Sequence, residues 1–208
     1  SVEFMDSGWS LKHLHRQLVT SRAYRMDSHT DSASGAQDPD NVHLWRMPSR
    51  RMEAEVVRDS VLALSGRLDS TLGGPELDQN VGLTTFRRSV YYRHANEKQV
   101  PFLLIFDAAS ANECYQRPSS IVPQQALALA NSPLTREASK LLAKSLGDEA
   151  GLDDAEFIGA AFMKLLNRTP TEEETRECAN FLSGRPAESA RVSLVHVLFN
   201  HHDFVTIK

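Results

Sequence analysis

The chain is poor in several things, and each shortage excludes a class of function. Cysteine occurs twice in 208 residues, as Cys114 and Cys178, and never as a C-x-x-C pair. A zinc ribbon and a thioredoxin-type redox motif are therefore absent, and without C-x-x-C-H this segment cannot attach a c-type haem covalently. The two thiols leave one disulfide or none open. Cys114 lies in "NECYQRP" with no positional case for a histidine base, so a cysteine nucleophile is not expected. The 10 glycines are scattered, which writes no phosphate cradle, and no G-x-S-x-G is present. No apolar run approaches the roughly 20 residues of a membrane helix, and no signal peptide is visible. Cationic residues are not in excess: 23 Lys and Arg stand against 27 Asp and Glu, for a formal net charge of −4. A general nucleic-acid binder needs a positive field to displace counterions, so neither a nucleic acid nor a membrane span is expected.

Apolar residues make up 41% of the chain, enough for a core in one mid-sized domain or a domain with appendages. The opening "SVEFMDSGWS" starts in helix-like spacing and reads as the tail of an upstream helix, so the chain is expected to be a segment of a longer protein. Ser10 can cap a helix over about 11–25 with Leu11, Leu14 and Leu18 as its buried stripe. Residues 27–41, "DSHTDSASGAQDPDN", are polar, small and turn-rich, the composition of a mobile loop. A helix is expected over 50–67 and a Gly-Gly-Pro turn within 72–82. "RRSVYYRH" carries β-branched and aromatic residues and reads as a short strand near 87–93, with 82–86 as one source of a partner. "PFLLIFD" is expected to be a short helix and 108–120 irregular. Pro123 suits the first turn of a helix over 123–131, and a second helix runs to about 146. Three more follow, the middle one opened by a Thr171/Glu174 capping box. The expectation is a mainly α, multi-helix fold with a minor β element around 82–93. A central helical domain would cover 1–146, with a C-terminal helical subdomain over 152–208 packed on it as one unit.

"SRRMEAEVVRDSVLALSGRLD", residues 49–69, raises the functional question. At about 100° per residue, Ala54, Val57, Val61, Leu64 and Leu68 form one apolar stripe and Met52, Val56 and Ala63 a second. Arg51, Glu55 and Arg58 fall in the gap between them, with Asp59 at its margin. Glu55 has cations at i−4 and i+3, in Arg51 and Arg58. Asp59 has only a like charge at i−4, and a buried unpaired charge costs several kcal/mol. It therefore calls for a distant cation: Arg16, Arg46, Arg87 or Arg88. Arg88 is preferred, because a guanidinium fork at the lip of a strand suits a carboxylate. Arg51, Glu55, Arg58, Asp59 and Arg88 are thus a candidate ion network, structural or ligand-binding. Arg87, Tyr91, Tyr92 and Arg93 form a candidate ligand patch that could stack and clamp a sugar, nucleotide or phosphate. No metal site is expected: His13 and His15 point about 200° apart on a helix, and "NHHDF" reads as imidazoles at a helix C-terminus.

Seven stretches then point one way: "SGWSLKHLHRQLVTSRAYR", "LWRMPSRRMEAEVVRDSVLALSGRLD", "GGP", "RRSVYYRH", "VPQQALALANSP", "LLNRTPTEEE" and "LVHVLFNHHDF". In this order they resemble the planctomycete-type, or PSD-type, C-terminal domain of unknown function. Departures are local: Pro48-Ser49 replaces an Asn-like residue and Arg run, and "FDAAS" stands where the family has an "FDFPD"-like element. The resemblance implies a large exported protein at the periplasm or cell surface. It implies neighbouring domains that include a cytochrome-c-like one, so any c-type haem belongs to them and no cofactor to this segment. It carries over no catalytic residue. The expected function is a non-catalytic binding or docking module of such a haem-associated protein. The alternatives are an enzyme domain, for instance a hydrolase acting on polysaccharide, and a structural spacer. The enzyme would draw carboxylates from Glu55, Asp59 or Asp107 and a proton shuttle from His15.

Overall fold

In the computed structural model the described residues are 1–29, 32–112, 117, 120–148 and 153–207. They are mainly helical: α1 (Val2–Asp6), α2 (Leu11–Thr20), α3 (Ser32–Gln37), α4 (Ala54–Leu64), α5 (Pro101–Ile105), α6 (Pro123–Asn131), α7 (Pro133–Asp148), α8 (Asp154–Leu166), α9 (Glu172–Leu182) and α10 (Ala187–Phe199). The β content is one two-stranded sheet of β1 (Arg50–Arg51) and β2 (Thr206–Ile207). The chain divides into two compact units, residues 1–50 with the C-terminal residues from Thr206, and residues 51–205. Within the second of these, α10 packs on α7, and α8 packs on both.

The first unit is held by polar contacts. Neither α1 nor α2 buries a residue, and the Leu11 and Leu18 stripe is exposed. Helix α2 ends at Thr20, where Ser21 takes extended backbone and its hydroxyl bonds the Leu18 carbonyl. Segment 27–41 is not a plain loop, since α3 lies in it. Asp38 accepts the backbone N–H groups of Val42 and His43 at 2.9 and 2.8 Å, which holds its carboxyl below the ordinary range. Its own carbonyl takes the Trp45 indole N–H at 2.9 Å.

The second unit owns the core. Ala54, Val57, Val61 and Leu62 of α4 join Leu142 and Leu146 of α7, Phe157 and Phe162 of α8, and Val195 and Phe199 of α10. Two fully buried hydroxyls on α7 are satisfied by backbone: Thr135 bonds the Leu129 and Ser132 carbonyls, and Ser139 the Thr135 carbonyl. Helices α8 and α9 both open with capping boxes, Asp153 with Glu156 and Thr171 with Glu174.

The β element expected at 82–93 is not a strand. That stretch holds a 3-10 turn at Ser89–Tyr91 and only isolated bridges, Asp69 to Arg87 and Leu77 to Tyr92. The reason is chemical. A side chain, the Arg58 guanidinium, takes the carbonyls of Gly82, Thr85 and Arg87, and a carboxylate takes the Ser89 N–H. The backbone groups a ladder would pair are already engaged.

Candidate ligand-binding cleft

Helix α4 begins later than its charge pattern suggests. Glu53 is the N-cap with extended backbone, and Arg51 lies in β1. The i−4 pair of Glu55 with Arg51 therefore does not form, and Arg51 donates to Gln125 Oε1 at 2.7 Å. Ala54, Val57 and Val61 of the first apolar stripe enter the core, joined by Leu62 of neither stripe and flanked by Met52 of the second. Val56 and Ala63, on the second, face a cleft of about 990 Å³.

Arg58 is the fully buried member of the charged set. Nε donates to the Gly82 carbonyl at 2.9 Å, Nη2 to Thr85 at 2.6 Å, and Nη1 to Arg87 at 3.0 Å and to Ser89 Oγ at 3.2 Å. Its Cζ stands 5.1 Å from the Tyr92 ring centroid. Burial lowers its pKa, opposed by Tyr92 and by Asp59. Burial likewise raises that of Tyr92, whose hydroxyl donates to the Gly82 carbonyl at 2.7 Å.

Asp59 sits in front of this guanidinium with a side chain 17% exposed, its Oδ1 3.5 Å from Arg58 Nη1. The same oxygen accepts the Ser89 N–H at 2.8 Å and the Ser89 hydroxyl at 2.6 Å. Arg88 Nε lies 3.8 Å from Oδ2 and leaves the rest of its half-exposed side chain at the cleft. Glu55 pairs with Arg117 at 2.5 Å, which raises the arginine's pKa. Asp107, in left-handed backbone (φ 59°), accepts the N–H and hydroxyl of Ser120 at 2.7 and 2.8 Å. Each of these three carboxylates thus has partners within the chain, although Glu55 and Asp59 also line the cleft.

The Arg/Tyr patch is divided. Arg87 stacks on Tyr91, 4.0 Å to the centroid, and Nη2 donates to the Thr71 and Gly73 carbonyls at 3.0 and 2.5 Å. Tyr91 Oη accepts the Gly73 N–H at 3.0 Å, so both residues tie down the Gly-Gly turn. There Gly74 (φ +92°) leaves 2.9 Å between a Cβ position and Arg87 Nη1. Tyr92 and Arg93 line the cleft, and Arg93 meets Glu76 at 3.3 Å.

Sequence reasoning missed Ser89, Arg117 and Lys98. Arg117 is 62 residues from Glu55, a separation that leaves no local signal. Outside the cleft, Asp203 of "NHHDF" receives Arg168 Nε at 2.8 Å. Among the described residues no group of three His, Cys, Asp or Glu side chains is arranged to hold a metal ion, and no helix is long and apolar enough to cross a membrane. His15 is exposed on α2. Cys114 lies outside the described residues, and burial pushes the free Cys178 thiol up in pKa.

The described residues form a mainly helical domain with a cleft along α4, in which Glu55 and Asp59 are tied to Arg117 and to Ser89 with Arg58. The family profile described as PSD1, "Protein of unknown function (DUF1553)", matches residues 1–182, and the chain belongs to that family. No curated protein and no solved structure matches it.

Proposed function

We propose that this PSD1 domain is a non-catalytic docking module, that the α4 cleft is its docking surface, and that its partners are other domains of a large exported protein, including a cytochrome-c-like one. One observation carries the reading. The acids an enzyme would use, Glu55 and Asp59, are held by Arg117 and by Ser89 with Arg58, whereas apolar side chains on the same cleft lie open, Leu72 at 82% and Val90 at 66% exposure. Contiguous exposed apolar surface rimmed by polar groups marks interaction sites. Export and the haem-bearing neighbour rest on the family resemblance of the sequence.

The test is site-specific photo-crosslinking in the full-length protein. Benzophenone side chains at positions 72 and 90 are expected to crosslink to another domain of the same protein. A benzophenone at exposed Met163, outside the cleft, serves as the control. Crosslinks no more frequent at 72 and 90 than at 163 would overturn the proposal.

A further inference from the structure

Resting on that reading, we infer that the cleft takes an acidic polypeptide segment with apolar anchor residues. Its two walls carry opposite charge. Helix α4 and its N-cap supply the acids, Glu53, Glu55 and Asp59, and segment 88–98 supplies the bases, Arg88, Arg93, His94 and Lys98. Two of the three acids are engaged: Glu55 pairs with Arg117, and Asp59 is covered by Ser89 and Arg58, whereas Glu53 has no ion pair among the described residues.

The bases are not. Among the described residues the only ionic contact of Arg88 is the 3.8 Å approach of Nε to Asp59, and neither Lys98 Nζ nor the His94 ring has a partner. Arg93 has an exposed pairing with Glu76 at 3.3 Å, the kind worth little in water. The charge left for a partner is positive. Val56 on the α4 wall, Val90 on the 88–98 wall, and Leu72 and Leu104 elsewhere on the cleft are exposed.

Acidic side chains on the partner would meet Arg88 and Lys98 while leucine- or phenylalanine-sized anchors cover Leu72, Val90 and Leu104. A basic segment would face the α4 acids and the free cations together, which builds discrimination into the same surface. A carbohydrate fits less well. Sugars stack on open aromatic faces, and the cleft's aromatic residue, Tyr92, is 9% exposed with its ring against Arg58. A bare phosphate would leave the apolar side chains uncovered.

The probes are three fluorescein-labelled peptides of alternating leucine with glutamate, lysine or serine, read by fluorescence anisotropy. The glutamate peptide is expected to bind about tenfold or more tightly than either other peptide, and to weaken as salt is raised. Lys98→Glu, and separately Arg88→Glu, should each reduce that preference by about tenfold. Lys98→Glu carries the test if Arg88→Glu, beside Asp59, fails to fold. Leu72→Asp should weaken the glutamate peptide. Equal or tighter binding of the lysine or serine peptide, still abolished by Leu72→Asp, would overturn the acidic partner and leave the docking reading standing. Binding of no peptide in a Leu72-dependent way would overturn both. Displacement of the glutamate peptide by inorganic phosphate alone, or by a neutral oligosaccharide, would overturn the polypeptide assignment.

Discussion

The carboxylate of Asp59 grips Ser89 twice through one oxygen, at the backbone N–H (2.8 Å) and the hydroxyl (2.6 Å). That pair of hydrogen bonds to one residue fixes the base-bearing wall of the cleft to helix α4, and it stands beside the buried charge of Arg58. Removing the carboxylate leaves that guanidinium without its ionic neighbour and the Ser89 N–H without an acceptor. Asp59→Ala is therefore expected to cost about 3 kcal/mol. Asp59→Asn keeps one acceptor oxygen and is expected to cost about half as much. Urea denaturation checks both, and a parent-like midpoint for Asp59→Ala would show the carboxylate to be dispensable.

Arg58 works from behind the same wall. Its three carbonyl partners at 82, 85 and 87 have no strand to turn to. Arg58→Met should destabilise the domain by about 3–5 kcal/mol, because the Thr85 and Arg87 carbonyls lose this donor and Asp59 its buried cation, while the Gly82 carbonyl keeps the Tyr92 hydroxyl. The damage should be local first. Amide hydrogen exchange at Ser89 and Tyr92 is expected to speed up well before that of α8. Unchanged protection at both positions would mean that the loop holds itself.

How far the sequence foretells this structure depends on the range of the forces involved. Helix α6 and the Thr171/Glu174 box are legible because Pro123 at a first turn and Ser/Thr-x-x-Glu spacing act within a few residues. The β element at 82–93 is misread because propensity saw Val90, Tyr91 and Tyr92 but could not see an arginine 24 to 31 residues upstream engaging the carbonyls of Gly82, Thr85 and Arg87 and the Ser89 hydroxyl. The Leu11 and Leu18 stripe is misread for the opposite reason, since amphipathic spacing was present and no core covers it within its own unit. The ion network is half legible. The charged seam of α4 is visible as a pattern, but Ser89 and Arg117, the groups that hold Asp59 and Glu55, come from 30 and 62 residues away.

Gly82 gives a test of packing beneath the cleft. Its backbone is ordinary (φ −49°, ψ −40°), so alanine carries no conformational penalty. A Cβ there would nevertheless stand 2.7 Å from Val100 Cγ1 and 3.2 Å from the Gln79 carbonyl. Gly82→Ala is expected to cost about 1–3 kcal/mol through overpacking. Val100→Ala opens room at the same point, so the double variant should be less destabilised than the sum of the singles. Strict additivity in thermal or urea unfolding would place the clash elsewhere.

Glu174 connects the far end of the domain to pH. Its oxygens receive Arg168 Nη2 at 2.6 Å and Nη1 at 2.8 Å, together with the Thr171 N–H at 2.7 Å. The arginine first, then the Thr171 bonds, hold the carboxyl at about 2 instead of the ordinary 4.5, against the opposing effect of burial. A depressed carboxyl pKa stabilises the folded state fully above the unfolded value of 4.5, and that contribution disappears as pH falls through about 2. Glu174→Gln should therefore be less stable than the parent at neutral pH, and the gap should narrow over the window from 4.5 down to about 2. Urea midpoints measured across that window decide it. A gap that stays constant would mean that the contribution of Glu174 is not tied to ionisation of its carboxyl.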